Sequence, residues 1–176
     1  PEAEVVLAVF IRRLVQDAAT LRAIDSGEVD AILDPASGRA LLLMAKTFPM
    51  SRFTGVDCST EGIERARTEA AQLGLSNVRF EVSDAATWSA LAAYDLVTTF
   101  DAVHDQAAPR QVLRNIHDAL RPGGVYLMQD IGVSSHLHEN ATHAMAPFIY
   151  TISCLHCMTV SLSAGGAEVV RATALK

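Results

Sequence analysis

The sequence predicts an α/β fold, a doubly wound and mostly parallel sheet with helices on both faces. Three observations lead there. Short apolar runs alternate with segments of helical period through most of the chain. Five of these runs end in aspartate, at Asp34, Asp57, Asp84, Asp101 and Asp130. The interval between successive aspartates is each time about the length of one crossover and the next strand. Aspartate is disfavoured inside strands, so its repetition at strand ends asks for a reason. In a parallel sheet all carboxyl ends share one edge, and that edge holds the ligand crevice. Turn initiation and helix capping account for two or three of the five. The others are candidates to face a ligand carrying hydroxyls, amines or positive charge.

Residues 3–24 read as an amphipathic helix with Leu7, Phe10, Leu14, Ala18 and Leu21 at helical spacing. Residues 1–27 thus form a helix and linker, and residues 28–176 the main domain. The first strand follows Asp25-Ser26-Gly27 and ends at Asp34. Arg39–Thr47 is a short apolar helix, stopped near Pro49. The second strand ends at Asp57. A helix over Ser59–Leu73 buries Ile63, Ala66, Ala70 and Leu73, with Gly74 at its C-terminal cap. The third strand ends at Asp84 and leads to a short helical stretch around Trp88–Ala92. After the fourth strand, Pro109 opens a helix to Leu120 with Leu113, Ile116 and Leu120 inward. Arg121-Pro122-Gly123-Gly124 turns into the fifth strand. Beyond Asp130 come a polar loop over Val133–Ala144, an apolar helical segment over Pro147–Leu162, and a tail, Ala167–Leu175, that can form one strand.

Bulk properties narrow the function. The 176 residues suit one domain with a sizeable core. A formal net charge of -6 and the lack of a basic patch disfavour nucleic acid. The apolar stretch Val5–Ile11 is too short for a bilayer, and acidic Glu2 and Glu4 flank it where a secretory signal would be basic. The expected compartment is the cytoplasm, without a membrane, and the three cysteines are expected as thiols. The face of the 3–24 helix can pack on its own sheet or against a second subunit in a homodimer.

A dinucleotide site would show G-x-G-x-x-G at the first strand-to-helix turn. Asp34-Pro35-Ala36-Ser37-Gly38 has a single glycine, which disfavours a nucleotide-dependent oxidoreductase. Asp57 stands 19 residues beyond Gly38, where a carboxylate can accept from ribose hydroxyls.

With ILDPASGRALLLMA, FTGVDCS, VRFEVSDAATW, DLVTTFDAVHDQ and LRPGGVYLMQD in this order, the chain resembles the class I S-adenosylmethionine-dependent methyltransferases over roughly residues 28–165. The run FIYTISCLHCMTVSLSAGG further resembles a bacterial subgroup in which the domain follows a winged-helix-like domain. The resemblance implies a Rossmann-like sheet, here without the complete closing β-hairpin, since ten residues follow Gly166. It implies S-adenosylmethionine as cofactor, with S-adenosylhomocysteine as product. Asp34 and Gly38 would flank the methionine part. Asp57 would bind the ribose hydroxyls and Cys58 would lie against the adenine. Asp84 would accept from the adenine amine, with the Ala85 backbone nearby, and Phe100 and Asp101 would line the pocket floor.

His104-Asp105 resembles the His-Asp pair of O-methyltransferases, which implies methyl transfer to a hydroxyl of a small-molecule acceptor with His104 as general base. Residues 133–166 would cap the acceptor pocket, with His156 and Met158 pointing in and Met145, Phe148 and Tyr150 as apolar walls. Cys154, Cys157 and His156, with His136, His138 or His143, supply only one clear ligand pair, so they read as packing and no metal is expected. The first loop is two residues shorter than the family's D-x-G-x-G-x-G. It favours an alternative, a non-catalytic module that has lost its cofactor loop.

Overall fold

The structure is a computed structural model that describes residues 38–134, 136–163 and 165, and the backbone of residues 32–33. The expected 3–24 helix, the tail strand and the loop from Asp34 to Ser37 lie outside the described residues.

Five strands, β1 (Ile32–Leu33), β2 (Phe53–Asp57), β3 (Val78–Val82), β4 (Tyr94–Phe100) and β5 (Leu120–Gln129), form one sheet in the order β3-β2-β1-β4-β5. Every pairing is parallel. The chain winds outward from β1 to β3, returns to β4 beside β1, and continues to β5. The point of reversal lies between β1 and β4, where such sheets hold their ligands. Among the described residues no antiparallel strand closes the sheet.

Helices α1 (Arg39–Thr47) and α2 (Thr60–Gln72) cover one face. Their buried residues Leu41, Leu42, Met44, Ala45, Ile63, Ala66 and Ala70 pack with Phe53, Phe80 and Leu96. Helix α3 (Pro109–Ala119) covers the other face, where Val112, Ile116 and Ala119 meet Val56, Val97, Trp88 and Tyr94. Leu96 and Val97 are adjacent in β4, point to opposite faces, and both have 0% exposure. This is the strand alternation of an interior strand covered on both faces.

The local signals explain the helix ends. Ser59 caps α2, its hydroxyl accepting from the Gly62 N–H at 3.0 Å. Gly74 closes α2 at φ +67°, with its N–H to the Ala71 carbonyl and the Leu75 N–H to the Ala70 carbonyl, which is the Schellman arrangement. Leu75 then packs on the core, and Leu73, expected inward, is 49% exposed at the cap. Pro109 opens α3 as expected. Its inward face is set by Val112, Ile116 and Ala119, while Leu113 and Leu120 are half-buried.

Two other expectations need correction. Trp88–Ala92 is not helical. One turn forms where the Thr87 and Trp88 N–H groups reach the Asp84 carbonyl, and it stops because Trp88 turns inward and stacks on Tyr94 at 5.5 Å. Arg121-Pro122-Gly123-Gly124 does not precede the fifth strand. It is drawn into β5 as an irregularity, with Gly123 at φ +84° and a register shift opposite Tyr94 and Leu96. The late apolar segment is helical, as α4 (Ala146–Ile152), a π-turn over Ser153–Cys157 and α5 (Met158–Ser163).

Candidate active site

The described strand-end aspartates all lie on the carboxyl edge of the sheet, in two groups. On the β2–β3 side, each carboxylate is engaged by the backbone just after it. Asp57 Oδ1 accepts from the Ser59 N–H at 2.7 Å, and Asp84 Oδ1 accepts from the Ala86 N–H at 2.8 Å. These turns hold both carboxylates at the strand ends. Cys58 follows Asp57 and is exposed, its thiol pushed up by burial and by the Asp57 carboxylate. Ala85 is buried, and its carbonyl and that of Ala86 both accept from Asn115 Nδ2, at 2.8 and 2.9 Å. Sequence reasoning missed Asn115, because a polar residue on α3 gives no sign of reaching another loop.

Gly38 stands at the start of α1 at φ +62°, and a Cβ there would sit 2.9 Å from Phe80 and 3.1 Å from Ala66. The glycine is therefore required by packing as well as by conformation. Asp34 lies outside the described residues.

The β4–β5 side is built from side chains. Phe100 ends β4, packed against the core, and Asp101 follows in the left-handed region at φ +51°, its N–H bonded to the Gln129 carbonyl at 2.7 Å. That conformation is uncommon outside glycine and best tolerated by Asp and Asn. It turns the chain sharply, so that His104 and Asp105 return over the sheet edge. His104 Nδ1 lies 2.7 Å from Asp130 Oδ1 and 3.8 Å from Asp101 Oδ1. Its Nε2 lies 3.2 Å from Asp105 Oδ1. Asp105 and Asp130 together raise His104 to about 11, against the opposing effect of burial. Burial opposes ionisation of Asp105, but His104 beside it outweighs this and lowers it.

Asp130 is legible in the sequence as a strand-end aspartate, but its pairing with His104 is not. The pairing depends on β4 and β5 being neighbours. Cys157, on the late π-turn, is buried against the same group, and His156 Nε2 lies 3.9 Å from Asp105 Oδ2. The expected apolar walls do not form among the described residues. Met145 is 51% and Phe148 59% exposed, and Tyr150 turns its hydroxyl to Asn140 at 2.8 Å.

This edge fits S-adenosylmethionine by its chemistry. The cofactor brings two ribose hydroxyls, an exocyclic amine and a sulfonium cation, and the residues that meet them would be carboxylates.

The comparisons point the same way. A family model described as "Methyltransferase domain" matches residues 27–168. The trans-aconitate 2-methyltransferase of Streptomyces avermitilis is 25% identical over 144 residues, covering 68% of this chain and 54% of that protein. The chain therefore spans about half the length of this curated relative. Among solved structures, the YcgJ protein of Bacillus subtilis superposes with a TM-score of 0.54 at 25% identity, over 61% of this chain and 47% of that one. The [4+2]-cyclase SpnF superposes with a TM-score of 0.57 at 23% identity, over 68% of this chain and 47% of that one. With a matched model over most of its length and the parallel sheet built around that edge, the chain belongs to the methyltransferase domain family, in the class I S-adenosylmethionine-dependent group.

Proposed function

We propose that this domain transfers a methyl group from S-adenosylmethionine to a hydroxyl oxygen of a small-molecule acceptor. The observation that carries the reading is the His104–Asp105–Asp130 cluster at the ends of β4 and β5, next to the switch point. Asp57 and Asp84 would hold the ribose and adenine, with Cys58 and Ala85 alongside, and Gly38, Phe100 and Asp101 nearer the methionine part. Asp34 is assigned with them on the family pattern. The bound cofactor supplies an activated methyl on sulfur.

His104 Nε2 would take the hydroxyl proton of the acceptor as its oxygen receives that methyl. Asp130 keeps Nδ1 protonated and fixes the ring. His104 can take the proton only in its neutral form. With two carboxylates holding it charged, the rate should climb with pH through the neutral range. Three carboxylates, Asp101, Asp105 and Asp130, surround a single imidazole. That balance disfavours a polyanion such as trans-aconitate and suits a neutral or cationic acceptor.

Residues 133–166 act as the acceptor-side cap. The Ala146–Ser163 run is 18 residues long and apolar enough, by length and composition, to cross a membrane. Its polar links to the domain, Ser161 Oγ to the Gln106 carbonyl at 3.4 Å and His156 beside Asp105, favour packing on the site instead.

Calorimetric titration with S-adenosylhomocysteine tests the reading. Binding in the micromolar range is expected, weakened roughly 10- to 100-fold in Asp57→Ala, as for about 1.5–3 kcal/mol of charged hydrogen bonding. A folded sample that does not bind would instead support a non-catalytic module, the reading favoured by the short Asp34–Gly38 loop.

A further inference from the structure

His104 Nε2 and Asp105 Oδ1 face each other across 3.2 Å in the cluster, bridged by the imidazolium proton while His104 is charged. His104 Nδ1 is committed to Asp130 at 2.7 Å, which leaves Nε2 directed at Asp105 Oδ1. That oxygen is buried, and no donor among the described residues, that proton included, is aligned with it as a full hydrogen bond requires. A neutral imidazole nitrogen and a carboxylate oxygen at this separation need a cation between them. A proton is one such cation, but the surroundings suit another. The Cys157 sulfur completes a group with His104 and Asp105 whose ligand atoms all lie within 4.8 Å of one another. Cys157 is 3% exposed, and it sits on a π-turn, a rare distortion that frequently marks functional sites. The same turn brings His156 Nε2 to 3.9 Å from Asp105 Oδ2.

We propose that His104 Nε2, Asp105 and the Cys157 thiolate form a zinc site, with His156 able to swing in as a fourth ligand. Tetrahedral zinc with bonds near 2.0–2.3 Å holds its ligand atoms about 3.3–3.8 Å apart, so side-chain adjustment of about 1 Å assembles the site. The Asp130–His104–metal arrangement is the carboxylate–histidine pairing that orients imidazole ligands. Thiolate and imidazole select zinc or a similar borderline metal over magnesium or calcium. The neighbouring group of Asp101, His104 and Asp130 is a weaker candidate, because it needs Nδ1, already bonded to Asp130, and Asp101 is exposed.

On binding, the thiol proton, and the Nε2 proton where present, leave to solvent. Binding itself rests on this geometry. Its consequence rests on the proposed methyl transfer, because zinc on Nε2 removes the base, so zinc would inhibit the reaction.

The test adds cobalt(II), as a spectroscopic substitute for zinc, to the chelator-treated full chain. One equivalent should give a thiolate-to-cobalt charge-transfer band that zinc abolishes. Cys157→Ala should lose the band and Cys154→Ala should keep it. Asp130→Asn retains all ligands and should bind zinc about 10- to 100-fold more weakly. It serves as a second variant should Cys157→Ala fail to fold. Absence of the band in the folded wild-type chain, its survival in Cys157→Ala, or its loss in Cys154→Ala would overturn the site. S-adenosylhomocysteine titration of the same sample reports separately on the methyltransferase reading.

Discussion

The two halves of the sheet edge present the same residue type at equivalent positions and use it differently. At the ends of β2 and β3, Asp57 and Asp84 each accept a backbone N–H two residues on. At the ends of β4 and β5, the carboxylates turn to His104, with Asp130 Oδ1 at 2.7 Å from its Nδ1 while that oxygen also accepts the Ile131 N–H at 2.7 Å. The cause lies in the segment after each strand. Where a turn begins at once, the aspartate oxygen is within reach of the next amides and a backbone turn captures it. Where an irregular loop comes next, as over residues 101–108 and 130–134, side chains from distant positions can converge. One half is held ready by local sequence, and the other is assembled by topology.

The strongest way to break the contrast is beneath both halves. Leu96 is fully buried in the interior strand β4. Leu96→Ala should cost about 2–5 kcal/mol, read by urea denaturation, and should weaken S-adenosylhomocysteine binding and loosen the His104 pairing together. If only one half responded, the two would not share a floor.

A smaller effect separates them. Asn115→Ala removes both donors to the Ala85 and Ala86 carbonyls. A loss of about 1–3 kcal/mol is expected, with weaker cofactor-product binding and an unchanged His104 titration by NMR.

The smallest effect belongs to the other half. Asp130→Asn should bring His104 down from about 11 towards its ordinary 6.5 in chelator-treated protein. Because the folded state raises this histidine, the ion pair's stabilisation is fully present below about pH 6.5 and fades as pH rises towards 11. The variant should therefore be less stable than wild type at pH 6, by roughly 1–2 kcal/mol, and the gap should close in alkali. Its alkaline rate rise should move to lower pH. A His104 titration that stayed in place would mean Asp130 does not hold the ring.

Legibility in the sequence divides along the same line. Helix boundaries at Ser59, Gly74 and Pro109 are legible because capping is local chemistry, and the strand-end aspartates are legible because they repeat. Trp88 reads as helical in the sequence and is not, because its burial against Tyr94 overrides local preference. The roles expected of Asp57 and Asp84 stand as proposals on residues that the fold does bring to one edge. Cys157 reads as packing because its neighbours His104 and Asp105 are some fifty positions away in sequence, and no spacing rule reaches that far.

Asp101 carries a consequence for variation at this position. Its backbone, at φ +51°, admits glycine and asparagine at little cost, but resists longer or branched side chains. A change from Asp101 to Glu would keep the charge and strain the bend, while a change to Asn or Gly would keep the bend and discard the charge. The alphabet open to this site is thus very short. Sequences that diverge here surrender either the carboxylate or the corner that brings His104 back over the sheet.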